Sequence, residues 1–506
     1  MSYIGRYTGC DLRGVTPLYM PWKDVNGQLR PPLSLEAAKL SLELASAAYD
    51  MKLDGWREAG WQDISYQVDN KLLSGAAVNG GASGGFSGVI SDYYQFLAKA
   101  RLRQLNPISQ LRGALRQREG SDTCKAIVMA HAVPGGKYVV AIGFMGTGKR
   151  FYDWISNFRV RKEEGVHAGF LQLAREFEKN YESISFPETA KALGLDKLTL
   201  GDVLKECHRP GSRFRLWLAG HSQGGAIMQL IALREMRRGL LRQNMIGYSF
   251  ASPSAVYDNP RCDPCALPLY HIINADDVFP RMGAVLHMGR CLVFHPDDEM
   301  RAVCYGDAFP RPAFQSMLRM TAQITDSGEA FLLVLGALLA LQEMAPEESM
   351  SILNGFIGSV IPEKLLPALG TRREDLLRAL IQRVKQSYAQ ATGGSPIPQE
   401  RLLLLRLRLK ELMTRLGGQA FLRGFKNALG LPHKLRGRHT ENGDASYQYI
   451  VTQRFRELKQ QTWRRPVSRM EPADCRQARP YPAGRFARLS GERARRQAAS
   501  TKRRKL

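Results

Sequence analysis

The 506-residue sequence has no apolar run long enough to cross a bilayer. Its most apolar stretch, Ala330 to Leu341, is 12 residues, where a spanning helix needs about 20. Met1 to Leu33 carries no apolar run behind a basic segment, so no secretory leader is expected. These absences predict a protein of the cytoplasm or of a membrane periphery. Cysteine is sparse: the 8 thiols are scattered from Cys10 to Cys475, which excludes a disulfide scaffold. Cys262 and Cys265 form a lone C-x-x-C with no second ligand pair at zinc spacing, so neither metal nor cofactor is expected. Acids are also short, with 47 Asp and Glu against 72 Lys and Arg, a net charge of +25. From Arg464 to Leu506 there are 14 bases and 3 acids. Such an excess favours anionic partners. That tail offers only Tyr481 and Phe486 as aromatics, and no nucleic-acid-binding motif accompanies it. Nucleic acid is therefore not the expected partner. An anionic membrane surface fits better, and solvated charge or a localisation signal would account for the tail equally well.

An ordinary core is nevertheless available, with 44% apolar and 24% charged residues. Ser34 can cap a helix over about 35–49, and the Gly, Ser and Ala of 74–88 read as a loop. Lys125 to Val133 and Tyr138 to Phe144 read as buried strands joined by a Pro-Gly-Gly turn. A helix over 169–181, a strand over 215–218, a helix over 224–237 and strands over 245–250 and 269–273 follow. This alternation predicts a mostly parallel sheet covered by helices. From about 311 to 430 the reading is helical throughout. The expected organisation is a core over 1–310, a helical insertion or cap over 311–430, the end of the core over 431–463 and a disordered basic tail over 464–506.

Gly220-His221-Ser222-Gln223-Gly224 fits G-x-S-x-G, with an apolar strand leading in and an amphipathic helix leading out. That context is what a nucleophile elbow requires. The glycines remove side chains from a strained turn, and the helix N-terminus supplies positive potential where negative charge develops. A serine nucleophile needs a base and an orienting acid. Asn274-Ala275-Asp276-Asp277-Val278-Phe279-Pro280 follows a strand end, where open α/β sheets place their sites. Either aspartate can serve. The later histidines are His287, His295, His433 and His439, the last two read as lying in a polar loop before a helix over 446–459.

These residues resemble the class 3 lipases, the fungal triacylglycerol lipase-like branch of the α/β hydrolases. Gly143-Phe144-Met145-Gly146-Thr147 is similar to the family's F-R-G-[ST], and Val166-His167-Ala168-Gly169-Phe170 to V-H-x-G-F. Gly220 to Ala226 is similar to G-H-S-L-G-G-A, and Asn274 to Pro280 to N-x-x-D-x-V-P. Four motifs in order cover about 35–294. The resemblance implies Ser222 as nucleophile, Asp277 rather than Asp276 as acid, and the amides of Thr147 and Gln223 as oxyanion hole. Met145 stands where the family has arginine. The implied base lies near the C-terminal end with an aromatic a few residues on. His439, followed by Tyr447, fits best, with His433 as the runner-up.

Phe151, Trp154, Ile155 and Phe158 fall at i, i+3, i+4 and i+7, one apolar face of a helix. Related lipases carry a lid at this point, so the stripe is expected to cover the site in water and open onto lipid; packing on the sheet is the plainer reading. The expected function is a serine esterase or lipase cleaving lipid esters through an acyl-enzyme. The alternative is a non-catalytic hydrolase fold that binds a lipid or protein partner. Nothing in the sequence fixes oligomeric state, acyl chain or head group.

Overall fold

The structure is a computed structural model. It describes residues 4–14, 33–50, 53–63, 124, 126–146, 162–182, 186, 191, 193–257, 267–357, 373–437 and 445–461. The stripe 151–158, Thr147, Cys262, Cys265, His439 and the basic tail lie outside the described residues.

Eight strands form the main sheet: β1 (Gln62–Asp63), β2 (Ala126–Val133), β3 (Lys137–Phe144), β6 (Phe214–His221), β7 (Met245–Phe250), β8 (Leu269–Asn274), β9 (Arg290–Phe294) and β10 (Lys459–Gln461), in that spatial order. A separate two-stranded ladder pairs β4 (Lys162–Glu163) with β5 (Val166–His167). From β3 to β9 neighbouring strands are parallel, and the pairs at both edges are antiparallel. The expected mostly parallel sheet is therefore present. The β2–β3 hairpin closes through Pro134-Gly135-Gly136, whose glycines take φ of 83° and 67°, values that suit residues without a Cβ.

Strand periodicity sorts the core into two layers. Val140, Ile142, Leu216 and Leu218 point to one face, where α3 (Ala168–Tyr181), α4 (Leu200–Glu206) and α5 (Gln223–Arg238) pack. Val139, Ala141, Trp217 and Ala219 point to the other, under α1 (Leu35–Asp50), which follows the Ser34 cap, with α2 (Asp54–Glu58) beside it. On that face the Trp217 indole donates to Ser41 Oγ at 2.8 Å.

Among the described residues from 298 to 433 the chain forms the helices α6 (Asp298–Tyr305), α7 (Pro312–Ala322), α8 (Ser327–Gln342), α9 (Pro346–Ile357), α10 (Arg373–Ala391), α11 (Gln399–Leu416) and α12 (Gly418–His433). These helices enclose their own apolar core. The apolar run at 330–341 is the buried centre of α8, packed between α10 and α11. Among the described residues no helix is long and apolar enough to cross a membrane. Two local readings are corrected. His433 is not in a polar loop but is the last residue of α12. The expected helix over 446–459 stops earlier, as α13 (Ser446–Gln453), and the chain then turns into β10, which takes the sheet edge beside β9. Pairing with a distant edge is a tertiary event that local propensity does not report.

Candidate active site

β6 ends at His221 and α5 begins at Gln223, leaving Ser222 alone in the turn at φ 55°, ψ −130°. A non-glycine residue there stores about 1–3 kcal/mol of strain, so the surroundings must hold it. Ser222 N–H donates to the Phe250 carbonyl at 2.9 Å, and the Ser222 carbonyl accepts from Gly225 N at 2.9 Å. The flanking glycines are steric necessities. A Cβ on Gly224 would lie 2.3 Å from the Phe144 carbonyl oxygen, and one on Gly220 2.6 Å from Gly224. A Cβ on Gly146 would meet the His221 carbonyl at 2.4 Å and Ser222 Cβ at 3.1 Å. The β3 exit, which carries the F-x-G motif, is thus pressed against the serine turn. Gln223, buried, is the first residue of α5, and first-turn amides point out of a helix end toward negative charge. Thr147, its expected companion, is outside the described residues.

The two aspartates that follow β8 have different surroundings. Asp276 is held by Arg301 in a fork of 2.9 and 3.0 Å and accepts from Tyr305 Oη at 3.0 Å. Asp277 is fully buried. Its Oδ1 accepts from Phe279 N at 3.0 Å, and its Oδ2 accepts from Tyr447 Oη at 2.7 Å and from His433 Nδ1 at 2.9 Å. Burial pushes the Tyr447 hydroxyl well above its ordinary value, so it stays a proton donor to the carboxylate. Tyr447 was read from sequence only as an aromatic following the base; nothing in the sequence marks it as a partner of the acid.

The imidazole on Asp277 is therefore His433, the runner-up of the sequence reading. His439 lies outside the described residues. His433 is carried on the rigid end of α12 and its backbone is held on both sides. Ser446 Oγ donates to the Leu431 carbonyl at 2.9 Å, Asn274 Nδ2 to the Pro432 carbonyl at 3.3 Å, and Gly437 N to Gln448 Oε1 at 3.0 Å. Arg436 pairs with Asp50 at the end of α1. The His433 ring lies 4.2 Å from the Phe279 ring and 4.8 Å from that of His221, the residue before the serine. His271 and His287 are buried elsewhere, and His287 Nε2 meets the Ser252 carbonyl at 2.8 Å.

A strained serine at a helix N-terminus, beside an imidazole seated on a buried carboxylate, is an arrangement suited to covalent nucleophilic catalysis. Among the described residues one carboxylate cluster, Glu178, Glu182 and Glu235, has metal-like spacing. Arg234 and Arg238 already bridge it, at 2.5 Å to Glu178 and 2.8 Å to Glu182, so it is an ion-pair network.

Residues 141–286 match the model of the family described as Lipase (class 3). A comparison with curated proteins finds no match. Among solved structures, the chain is similar to the Rhizomucor miehei lipase propeptide complex at 22% identity, over 34% of this chain and 52% of that one, with a TM-score of 0.25. It is also similar to a lipase from Rhizopus microsporus var. chinensis, at 20% identity over 34% and 58% with a TM-score of 0.25. A third, lipase II from Rhizopus niveus, gives 19% over 34% and 62% with a TM-score of 0.24. The chain spans between half and two thirds of the length of these structures. The likeness to the class 3 lipase family thus lies in residues 141–286, the part of the chain that carries the serine elbow and the two aspartates.

Proposed function

We propose that this protein hydrolyses carboxylic esters of lipids through an acyl-enzyme on Ser222, with His433 as base and Asp277 as the orienting acid. The observation that carries the reading is the 2.9 Å bond from His433 Nδ1 to the buried Asp277 carboxylate, made beside the serine elbow. With Nδ1 donating, Nε2 is the nitrogen left to take a proton. His433 removes the Ser222 hydroxyl proton as Oγ attacks the ester carbonyl, and Asp277 stabilises the imidazolium that forms. The same proton passes to the departing alkoxide. Water, deprotonated by His433, then releases the fatty acid and regenerates Ser222. The Gln223 amide, with that of Thr147, would stabilise the oxyanion of both tetrahedral intermediates. The stripe Phe151, Trp154, Ile155 and Phe158 would serve as a lid that opens onto lipid. The net charge of +25 would draw the enzyme to anionic membrane surfaces, each well-placed Lys or Arg adding about 1 kcal/mol.

Hydrolysis of p-nitrophenyl butyrate and palmitate tests this. Ser222→Ala and His433→Ala should each lose about 10³-fold or more in kcat, whereas His439→Ala should retain most of it. Loss in His439→Ala with activity kept in His433→Ala would move the base to His439. An inactive wild type, even with anionic vesicles present, would leave the fold without the proposed chemistry.

A further inference from the structure

We propose that Tyr49 and His221 form a tautomer lock that positions the catalytic base, an inference that rests on His433 being that base. His221 precedes the nucleophile, is buried, and bonds through both ring nitrogens. Its Nε2 lies 2.9 Å from the His433 backbone carbonyl, and its Nδ1 lies 2.8 Å from Tyr49 Oη. A carbonyl can only accept, so Nε2 must carry the proton. Burial, with the neighbouring His433 second, holds His221 well below the ordinary imidazole range, so the ring is neutral and has only that one proton. Nδ1 is then an acceptor and the Tyr49 hydroxyl is its donor. The relay runs one way: Tyr49 Oη–H to Nδ1, then Nε2–H to the carbonyl of His433.

This fixes which tautomer is stable. The His433 carbonyl sets the tautomer; without the Tyr49 donor, Nδ1 would be left as a buried bare acceptor and the ring would be tethered at one nitrogen only. Tyr49 is well placed for the role. It sits in the last turn of α1, whose inner face packs on β3, β6 and β7. Its hydroxyl lies 2.2 Å from where a Cβ on Gly146 would stand, so it touches the turn next to Ser222 as well. One tyrosine on a sheet-packed helix thereby references the β3 exit, the elbow and the base to a common frame. His433 needs that reference because it arrives at the end of a long helical excursion, not from a strand of the sheet. Tyr49 and His221 are positioning residues and take no part in bond making.

Steady-state kinetics and histidine NMR test the lock on the full chain. His221→Leu should lower kcat about 10- to 100-fold with KM within about 2-fold, and His221→Gln, whose amide can donate to the carbonyl and accept from Tyr49, should recover part of that loss. Tyr49→Phe should lower kcat about 3- to 10-fold, again at constant KM. In 15N-histidine spectra, the signal that vanishes in His221→Gln should report protonated Nε2 and bare Nδ1 in the wild type, and in Tyr49→Phe the same tautomer with the Nδ1 resonance moved downfield by loss of its hydrogen bond. An active wild type whose kcat is unchanged in His221→Leu, or a wild-type His221 protonated at Nδ1, overturns the proposal. If the wild type cleaves no ester, the functional reading fails on its own, and the tautomer is still read by NMR.

Discussion

Adjacent carboxylates with opposite surroundings make the site legible residue by residue. Asp276 faces a guanidinium fork and a tyrosine, whereas Asp277 faces an imidazole, a tyrosine and a backbone amide. Asp277→Asn should keep the fold and lose about 10⁴-fold in kcat, because an amide no longer favours the Nδ1–H tautomer of His433. Asp276→Asn should do the reverse. It weakens the pair to Arg301 and should lower stability by about 1–3 kcal/mol, read as a urea midpoint, with kcat falling far less. Equal kinetic losses in the two variants would contradict this division. Gly224→Ala tests the elbow in the same way. Its Cβ would stand 2.3 Å from the Phe144 carbonyl oxygen, backbone that cannot give way without moving the β3 exit. Loss of ester hydrolysis is expected, with destabilisation of about 2 kcal/mol or more.

At the scale of elements, the position of His433, the proposed base, depends on how α12 is seated. The helix packs on α7 and α9, and it comes close to the backbone of α7 at Gly424, where a Cβ would lie 2.8 Å from Ala313 Cβ. Gly424→Val should therefore lever α12 away from α7 and shift His433 at its end. The expected result is a fall in kcat of about 10-fold or more with little change in KM, since near-ångström misplacement of a catalytic group is costly. An unchanged kcat would mean that the contacts at 431–437 hold His433 without help from the helix body. The acid loop is tied to the same helical layer. Arg281 donates to the Ala322 and Ile324 carbonyls at 3.0 Å each and also bonds the Ala275 carbonyl. It thereby caps the C-terminal end of α7 while bracing the Asp276–Asp277 turn.

At the scale of the whole molecule, buried histidines give stability a definite pH dependence. Burial lowers His167 and His271 to about 3 and His287 to about 4. In the unfolded chain these rings take up protons near pH 6.5. Below that pH the unfolded state binds more protons than the native one, so their stabilisation is complete above about pH 6.5 and is lost as pH falls toward 4. Each ring contributes up to about 1.4 kcal/mol per pH unit. The urea midpoint should therefore fall clearly between pH 7.5 and pH 5. A midpoint constant over that range would contradict the burial of these rings as neutral groups.

The local sequence determined much of this architecture. Alternating apolar residues at 126–144 and the helix period at 223–238 fixed strands, helix and faces, because burial on one side of an element imprints a period of 2 or 3.6. The elbow was legible because its glycines answer to atoms within a few residues or on the adjoining strand. The choice of Asp277 came from a motif in which acid and strand end are neighbours. The partner of that acid was not legible. His433 is 156 residues away in sequence, and nothing local distinguishes it from His439. Only the packing of the helical layer brings the end of α12 to the acid loop, and only the three-dimensional arrangement puts Tyr447, Tyr49 and His221 around it. Hydrogen bonds between distant segments leave no period in the chain, so tertiary structure alone decided which histidine meets the acid.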